Sequence, residues 1–261
     1  MTSLPADQKR ELLARLLRER GARETVKHFD AKKVGRSDSI DESDVSPLRP
    51  IDRNGELELS FGQERVWFVE QLQPESLFYN VVERFGFSGQ VDAELLRRSI
   101  EAVVHRHEIL RTVYPAVDGR PLQKIQPPGP WGMPFIDLRS YTPTDREKEA
   151  RRLIVAEAKT PFDLSIGPLL RTTLLQLTDE EYVLAVTIHH IAIDGWSLRL
   201  LIDEIAEHYC ALVEQRAPLL PQLQVQYADF ASWQRRSFRG EALRKQRNYW
   251  LDQLEIGRAH V

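Results

Sequence analysis

The sequence predicts an α/β fold, and three observations carry that prediction. Tyr182-Val183-Leu184-Ala185-Val186-Thr187 is β-branched and apolar, as a buried strand is. Directly after it, Leu198, Leu201, Ile202, Ile205, Tyr209, Leu212 and Val213 recur at helical spacing. The same succession occurs earlier. Val82 to Gly89 alternates as a strand would, and Leu95, Leu96, Ile100, Val103 and Val104 then share one helical face behind Asp92, a good N-cap.

In chain order, Ser3 as cap, Pro5 in the first turn and Gly21 at the end mark residues 1–21 as a helical segment with a short leucine stripe. Alone, that length is barely stable, so it is either a marginal surface helix or one that docks another polypeptide. Residues 22–56 are polar, rich in Ser, Asp, Pro and Lys, and read as flexible linker. Order resumes at Leu57. A helix begins near Ser60, with Val66, Val69 and Leu72 on one side, Trp67 in the core and Arg65 paired within the fold. Past the Asp92 helix, Arg106-His107-Glu108-Ile109-Leu110-Arg111 passes to a strand and brings ionisable groups into a buried bracing network. Val117-Asp118-Gly119-Arg120 is a turn signal, which makes 110–126 a hairpin. A proline-rich loop covers 127–134, a helix Thr144 to Lys159, and a strand 170–177. Tyr227, Phe230, Ala231 and Gln234 share the face of a later helix, and 241–254 form another.

The 261 residues are 42% hydrophobic and 29% charged with net charge −3, enough for one large core or two small ones. That balance gives no electrostatic ground for nucleic acid or an anionic membrane as partner. No apolar run approaches the ~20 residues of a membrane span. Met1 to Asp7 lacks a signal peptide's basic and apolar regions, so a cytoplasmic protein is the expectation. Cys210 is the sole cysteine, which excludes an intrachain disulfide and a cysteine metal cluster.

Ile188-His189-His190-Ile191-Ala192-Ile193-Asp194-Gly195-Trp196-Ser197 is the stretch with the chemistry. It joins the end of a strand to the start of a helix, where sites in α/β proteins gather. Ser197 reads as the helix cap, and Gly195 as the residue permitting the tight turn before it. Adjacent strand side chains point to opposite faces, so His189 and His190 do not share a metal, and no metal site is expected. One faces a cavity while the other packs or hydrogen-bonds. Taken alone, such a pair is more often structural than catalytic.

The continuation changes that balance. His189-His190-x-x-x-Asp194-Gly195-Trp196-Ser197 resembles the HHxxxDGWS signature of condensation domains from nonribosomal peptide synthetases. Ser60-Phe61-Gly62-Gln63-Glu64-Arg65-Val66-Trp67 is similar to that family's first signature, with Gly62 for the usual alanine. Arg106-His107-Glu108-Ile109-Leu110-Arg111-Thr112-Val113-Tyr114 resembles its second, with Tyr114 for phenylalanine. Tyr227-Ala228-Asp229-Phe230-Ala231-Ser232-Trp233 resembles its fourth. All four stand in the family's order over 57–254, and the resemblance implies one chloramphenicol acetyltransferase-like lobe: an α+β two-layer sandwich, a mixed sheet packed by helices. The family's domain has two lobes, and this stretch corresponds to the first. Glu255 to Val261 continues no family pattern and reads as one frame of a common sequencing-adapter sequence, so 255–261 are expected to be non-native and the lobe truncated.

Such domains join a donor acyl or peptidyl thioester to an acceptor aminoacyl thioester, both on the phosphopantetheine of carrier proteins, and no cofactor is bound directly. A histidine, ordinarily near pKa 6.5, can share the proton that an amine near 7.7–8.0 loses on attack. The resemblance puts His190 in that place, as base or as hydrogen-bonding positioner, supported by His189, Asp194, Gly195 and Arg65. Asp194 is expected to pair with an arginine of the second lobe, and Gly195 to let the backbone pass close to the reacting groups. Arg106, His107, Glu108, Arg111, Trp196 and Ser197 are expected to be structural, Trp196 through packing. Gln63 to Trp67 and Phe78 to Val81 look most like the subtype joining two L-residues. Donor and acceptor carrier proteins are the implied partners, with an upstream synthetase subunit reached through the N-terminal helix. The alternatives are a noncatalytic carrier-docking module and a coenzyme A-dependent acyltransferase of the same superfamily.

Overall fold

Nine residues from Glu181 to His189 form the strand around which the fold is assembled. The computed structural model describes residues 47–73 and 76–254. The segment expected as a helix over 1–21, the linker up to residue 46 and the tail 255–261 lie outside the described residues. The elements run β1 (Leu57–Glu58), α1 (Phe61–Leu72), β2 (Asn80–Ser88), α2 (Ala93–Arg106), a 3-10 turn (Glu108–Arg111), β3 (Thr112–Val113), β4 (Ala116–Val117) and β5 (Arg120–Ile125). They continue with β6 (Phe135–Asp137), α3 (Pro143–Ala158), β7 (Leu170–Gln176), β8 (Glu181–His189), α4 (Gly195–Val213), α5 (Tyr227–Ser237) and α6 (Gly240–Leu254).

The main sheet has the order β2-β8-β7-β6 and is mixed: β8 is antiparallel to β2 and β7, while β6 runs parallel to β7. Alternation along β8 sorts its side chains. Tyr182, Leu184, Val186 and Ile188 meet Leu96, Ile100, Val103 and Val104 of α2 and Leu201, Ile205 and Tyr209 of α4 in one core. Val183 turns the other way and meets Ala150, Leu153 and Ile154 of α3. Each large apolar side chain so buried contributes about 1.5–3 kcal/mol, which fixes the strand's register because a one-residue slip would invert both faces. In the smaller sheet β5 pairs with β1, β3 and β4, and the 110–126 hairpin is formed by its last three members.

Four local expectations change. β6 is an additional strand; three residues after a proline-rich loop carry too little periodicity to announce it. Helix does not pass directly to strand at Arg106–Arg111 but through the 3-10 turn, which ends with the Thr112 hydroxyl donating to the Glu108 carbonyl at 2.7 Å. On α1 the buried row is Gln63, Val66 and Glu70, with Leu72 exposed. Polar groups take those positions because they find partners. Gln63 closes a capping box with Ser60 and donates from Nε2 to the buried Tyr114 hydroxyl at 2.8 Å, so Tyr114 in place of phenylalanine gives that amide its acceptor.

The fourth correction concerns the linker, which does not extend to residue 56. Ile51 N–H donates to Asp229 Oδ1 at 2.9 Å, and the Arg53 guanidinium spans Asp229 at 2.6 Å and Glu108 at 2.9 Å. Asp229 is only 1% exposed. Burial pushes its carboxyl up, but Arg53 and the N–H groups of Gln226 and Ile51 outweigh that and hold it below the usual carboxylate range. One charged residue in polar sequence carries no signal of a partner 176 positions away. Arg53→Met is expected to leave a buried carboxylate short of its counter-charge and cost about 2–3 kcal/mol. Urea unfolding of the two proteins checks this; an unchanged midpoint would mean that the anchor contributes nothing.

Candidate functional site

β8 ends at His189 opposite Asn80 of β2, and one further hydrogen bond, His190 N–H to the Tyr79 carbonyl at 2.9 Å, carries the pairing past the strand's end. The two histidines then part. His189 is 2% exposed, its ring edge-on to Phe162 at 5.8 Å and tilted against Tyr79 at 6.0 Å. His190 is exposed, with the Tyr79 ring 6.4 Å away on its protein side. His189 Nδ1 accepts the Ile191 N–H at 3.2 Å, and its Nε2 lies 3.4 Å from Glu70 Oε1. Burial pushes the His189 imidazole down to about 4, helped by the neighbouring His190, and pushes the Glu70 carboxyl up. His189 is therefore a neutral ring at neutral pH.

The start of α4 differs from expectation in three residues. Its cap is Asp194, whose carboxylate accepts the Ser197 N–H at 2.8 Å; Ser197 lies inside the first turn. A carboxylate at Ncap takes this bond in preference to a serine three positions later, because only Ncap has the extended backbone that aims its side chain at the helix's free N–H groups. That bond, above all, holds Asp194 below the usual carboxylate range. Gly195 makes no positive-φ turn. It is the first helical residue, and a Cβ there would meet nothing within 4 Å. Trp196 does not pack against the core; it is 87% exposed. At 100° per residue it stands opposite the centre of the Leu198, Leu201, Ile202 and Ile205 stripe, so helix geometry turns it to solvent.

The ionisable residues of the 106–111 stretch do form a network, but their partners are Glu204 and Arg53, from elsewhere in the chain. Glu204 of α4 receives His107 Nε2 at 2.6 Å and Arg106 Nε at 3.1 Å. Burial would raise that carboxyl, and His107 and Arg106 together bring it below its ordinary value. Glu108 turns away to Arg53, beside Asp229. Arg111 Nη1 bonds the Gln126 carbonyl and so ties the 3-10 turn to the end of β5. Arg65 lies exposed on α1. Sequence reasoning missed Glu70, Glu204 and Arg53. Glu70 left one trace, an acid in step with Gln63 and Val66 on a helical face; Glu204, on the flank of its stripe, left none.

Among the described residues no group of three or more His, Cys, Asp or Glu is placed to hold a metal ion, and no helix is long and apolar enough to cross a membrane. The arrangement offers one exposed imidazole on a backbone held from both sides, at the junction of a buried strand and a capped helix.

Comparisons with known proteins agree with these features. The family model described as "Condensation domain" matches residues 53–260. A linear gramicidin synthase of Brevibacillus parabrevis is 43% identical over 207 residues, which is 79% of this chain and 4% of that protein. Among solved structures, the X-domain from teicoplanin biosynthesis in complex with OxyB has TM-score 0.73 and 27% identity, covering 82% of this chain and 46% of that one. The starter condensation domain of rhizomide synthetase RzmA, in complex with C8-CoA and Leu-SNAC, has TM-score 0.70 and 25% identity over 77% of this chain and 46% of that one. The chain thus spans about half the length of these solved relatives and a small part of the synthase.

The His189 environment generates a pH prediction. Unfolded, this imidazole takes a proton near 6.5; folded, only near 4. Between those values the unfolded chain binds more protons, so stability falls as pH drops from 6.5 to 4. The raised Glu70 carboxyl acts in the opposite sense over its own range. Against His189→Gln, the native chain is therefore expected to lose up to about 3 kcal/mol more between pH 7 and 4. Urea unfolding across that range measures it. Parallel curves would show that His189 is not held neutral.

Proposed function

The chain belongs to the condensation-domain family, and on that premise we propose that it is the first lobe of a nonribosomal peptide synthetase condensation domain, joining two carrier-bound substrates by an amide bond. The donor is an acyl or peptidyl thioester and the acceptor an aminoacyl thioester, each on the phosphopantetheine of its carrier protein. The observation that carries the reading is the contrast between a buried His189 and an exposed His190 whose N–H is fixed to Tyr79.

In this reading the acceptor amine attacks the donor carbonyl, a C–N bond forms and the C–S bond breaks. The proton lost by nitrogen passes to the His190 imidazole and on to the departing thiolate, so amide and thiol are the products. Asp194 contributes by starting α4, which sets where the turn ends, and Gly195 leaves the space beside that turn open. Arg65, exposed on α1, is assigned a place near the substrate channel by the resemblance of its stretch to the family's first signature. Residues 1–21 are proposed to meet an upstream synthetase subunit, and the polar stretch after them to link that segment to the lobe. The stretches at Gln63–Trp67 and Phe78–Val81 favour an L-configured donor.

Alone, the lobe leaves His190 open to water, which competes for the thioester and removes the positioning that supplies much of such a rate. A noncatalytic docking module is the second reading; it draws on the X-domain neighbour solved in complex with OxyB.

Joined to a second condensation-domain lobe and given carrier-protein thioesters, the protein is expected to form dipeptide in single turnover. His190→Ala is expected to slow that step by about 10²–10⁴-fold with an unchanged melting temperature, because the side chain is exposed. Full activity in that variant would remove His190 from the chemistry, and carrier binding without amide in the parent would favour the docking module. The 261-residue chain by itself is expected to form no dipeptide under the same conditions. Turnover equal to the two-lobe protein would show the lobe to be self-sufficient.

A further inference from the structure

We propose that Glu70 is a positioning residue for this site: its carboxylate fixes the Nε2–H tautomer of His189, and through that ring the path of the His190–Ala192 turn. The inference rests on reading His190 as the group at the reacting amine, and it deepens that reading.

Three successive N–H groups leave the end of β8 and must find acceptors. His190 N–H goes to the Tyr79 carbonyl at 2.9 Å and Ala192 N–H to the His189 carbonyl at 3.0 Å. Between them, Ile191 N–H donates to a side chain, His189 Nδ1, at 3.2 Å. An acceptor Nδ1 cannot carry a proton. In a neutral imidazole the hydrogen is then on Nε2, and that atom points to Glu70 Oε1 at 3.4 Å. The polarity runs in one direction: Ile191 donates to the ring, and the ring donates to Glu70. Reversing the tautomer would set two donors against each other at Ile191 and leave Nε2 lone-paired against a carboxylate.

Shape alone does not choose between the tautomers. Phe162 and Tyr79 define where the ring lies, but they meet it as aromatic rings and leave the acceptor at Nε2 to Glu70. Glu70 is 8% exposed and belongs to the buried row of α1 with Gln63 and Val66. A carboxyl placed there without use would carry a desolvation penalty of several kcal/mol. Gln63, about two turns earlier on the same face, donates to the Tyr114 hydroxyl. α1 thus presents two polar side chains to the core, and each holds one ring.

The test uses the 261-residue chain. Long-range proton–nitrogen NMR on ¹⁵N-histidine protein reads the His189 tautomer, and amide exchange reads protection at Ile191. The native chain is expected to show a protonated Nε2, a lone-paired Nδ1 and a protected Ile191 amide. Glu70→Leu, close in volume, is expected to populate the other tautomer and to speed Ile191 exchange about tenfold, the loss of roughly one hydrogen bond. Glu70→Gln, whose amide oxygen can still accept, is expected to restore both signals. An unchanged tautomer and unchanged exchange in Glu70→Leu would overturn the proposal. If that variant does not fold, the native spectrum decides: a protonated Nδ1 overturns it, and a protonated Nε2 with Glu70→Gln indistinguishable from native supports it. Absence of condensation by the two-lobe protein would instead overturn the role of His190 and leave the tautomer result standing.

Discussion

The antiparallel pairing of β2 with β8 is the constraint on which the rest depends. It runs in unbroken register from Ser88 opposite Glu181 to Asn80 opposite His189, and then adds one bond from His190 to Tyr79. The core faces of β8 hold that register, because a slip of one residue would send Val186 and Ile188 to the wrong side. The register in turn decides which histidine is enclosed. His189 is the last paired residue and is covered by Phe162, Tyr79 and Glu70, whereas His190 begins the turn and faces outward. The difference between the two rings thus arises from strand geometry before any chemistry.

Around that strand the family's signature stretches act mainly as braces. Arg106 and His107 meet Glu204, which joins the end of α2 to α4 and so orients the helix that Asp194 starts. Glu108 and Asp229 share Arg53, which ties the chain before β1 to α5 and the 3-10 turn. Gln226 adds two bonds to the same corner, donating to the Arg106 carbonyl and accepting the Glu108 N–H. These charges are partly or wholly buried, and paired carboxylates of this kind impose one arrangement more than they add net stability. The fold follows the α/β lobe of chloramphenicol acetyltransferase-like proteins, as the solved condensation-domain neighbours do.

Much of this is legible in the sequence because it follows from period and chemistry. The alternation along β8 and the stripes of α2 and α4 place the sheet and its helices, and Asp92 marks the start of α2 by its side chain. Several of the corrections share one cause, that polar side chains choose their partners by three-dimensional geometry rather than by period. Ser197 and Asp194 are both good caps, and only the backbone conformation of Asp194 decides between them. Arg53 and Glu70 lie in stretches whose periodicity places them at the surface or leaves them unplaced, yet each bonds a group more than fifty positions away. Trp196 differs in kind. Its size suggests a core residue, but its angle on α4 relative to Leu198 and Ile205 turns it outward.

The most direct test of the central claim, that one strand end encloses His189 and presents His190, is carbethoxylation of histidines in the native chain with residue-level mapping by mass spectrometry. His190 is expected to be modified readily in the native chain, while His189 stays unmodified until the protein is unfolded. Equal labelling of both rings in the native state, or protection of His190, would contradict the account.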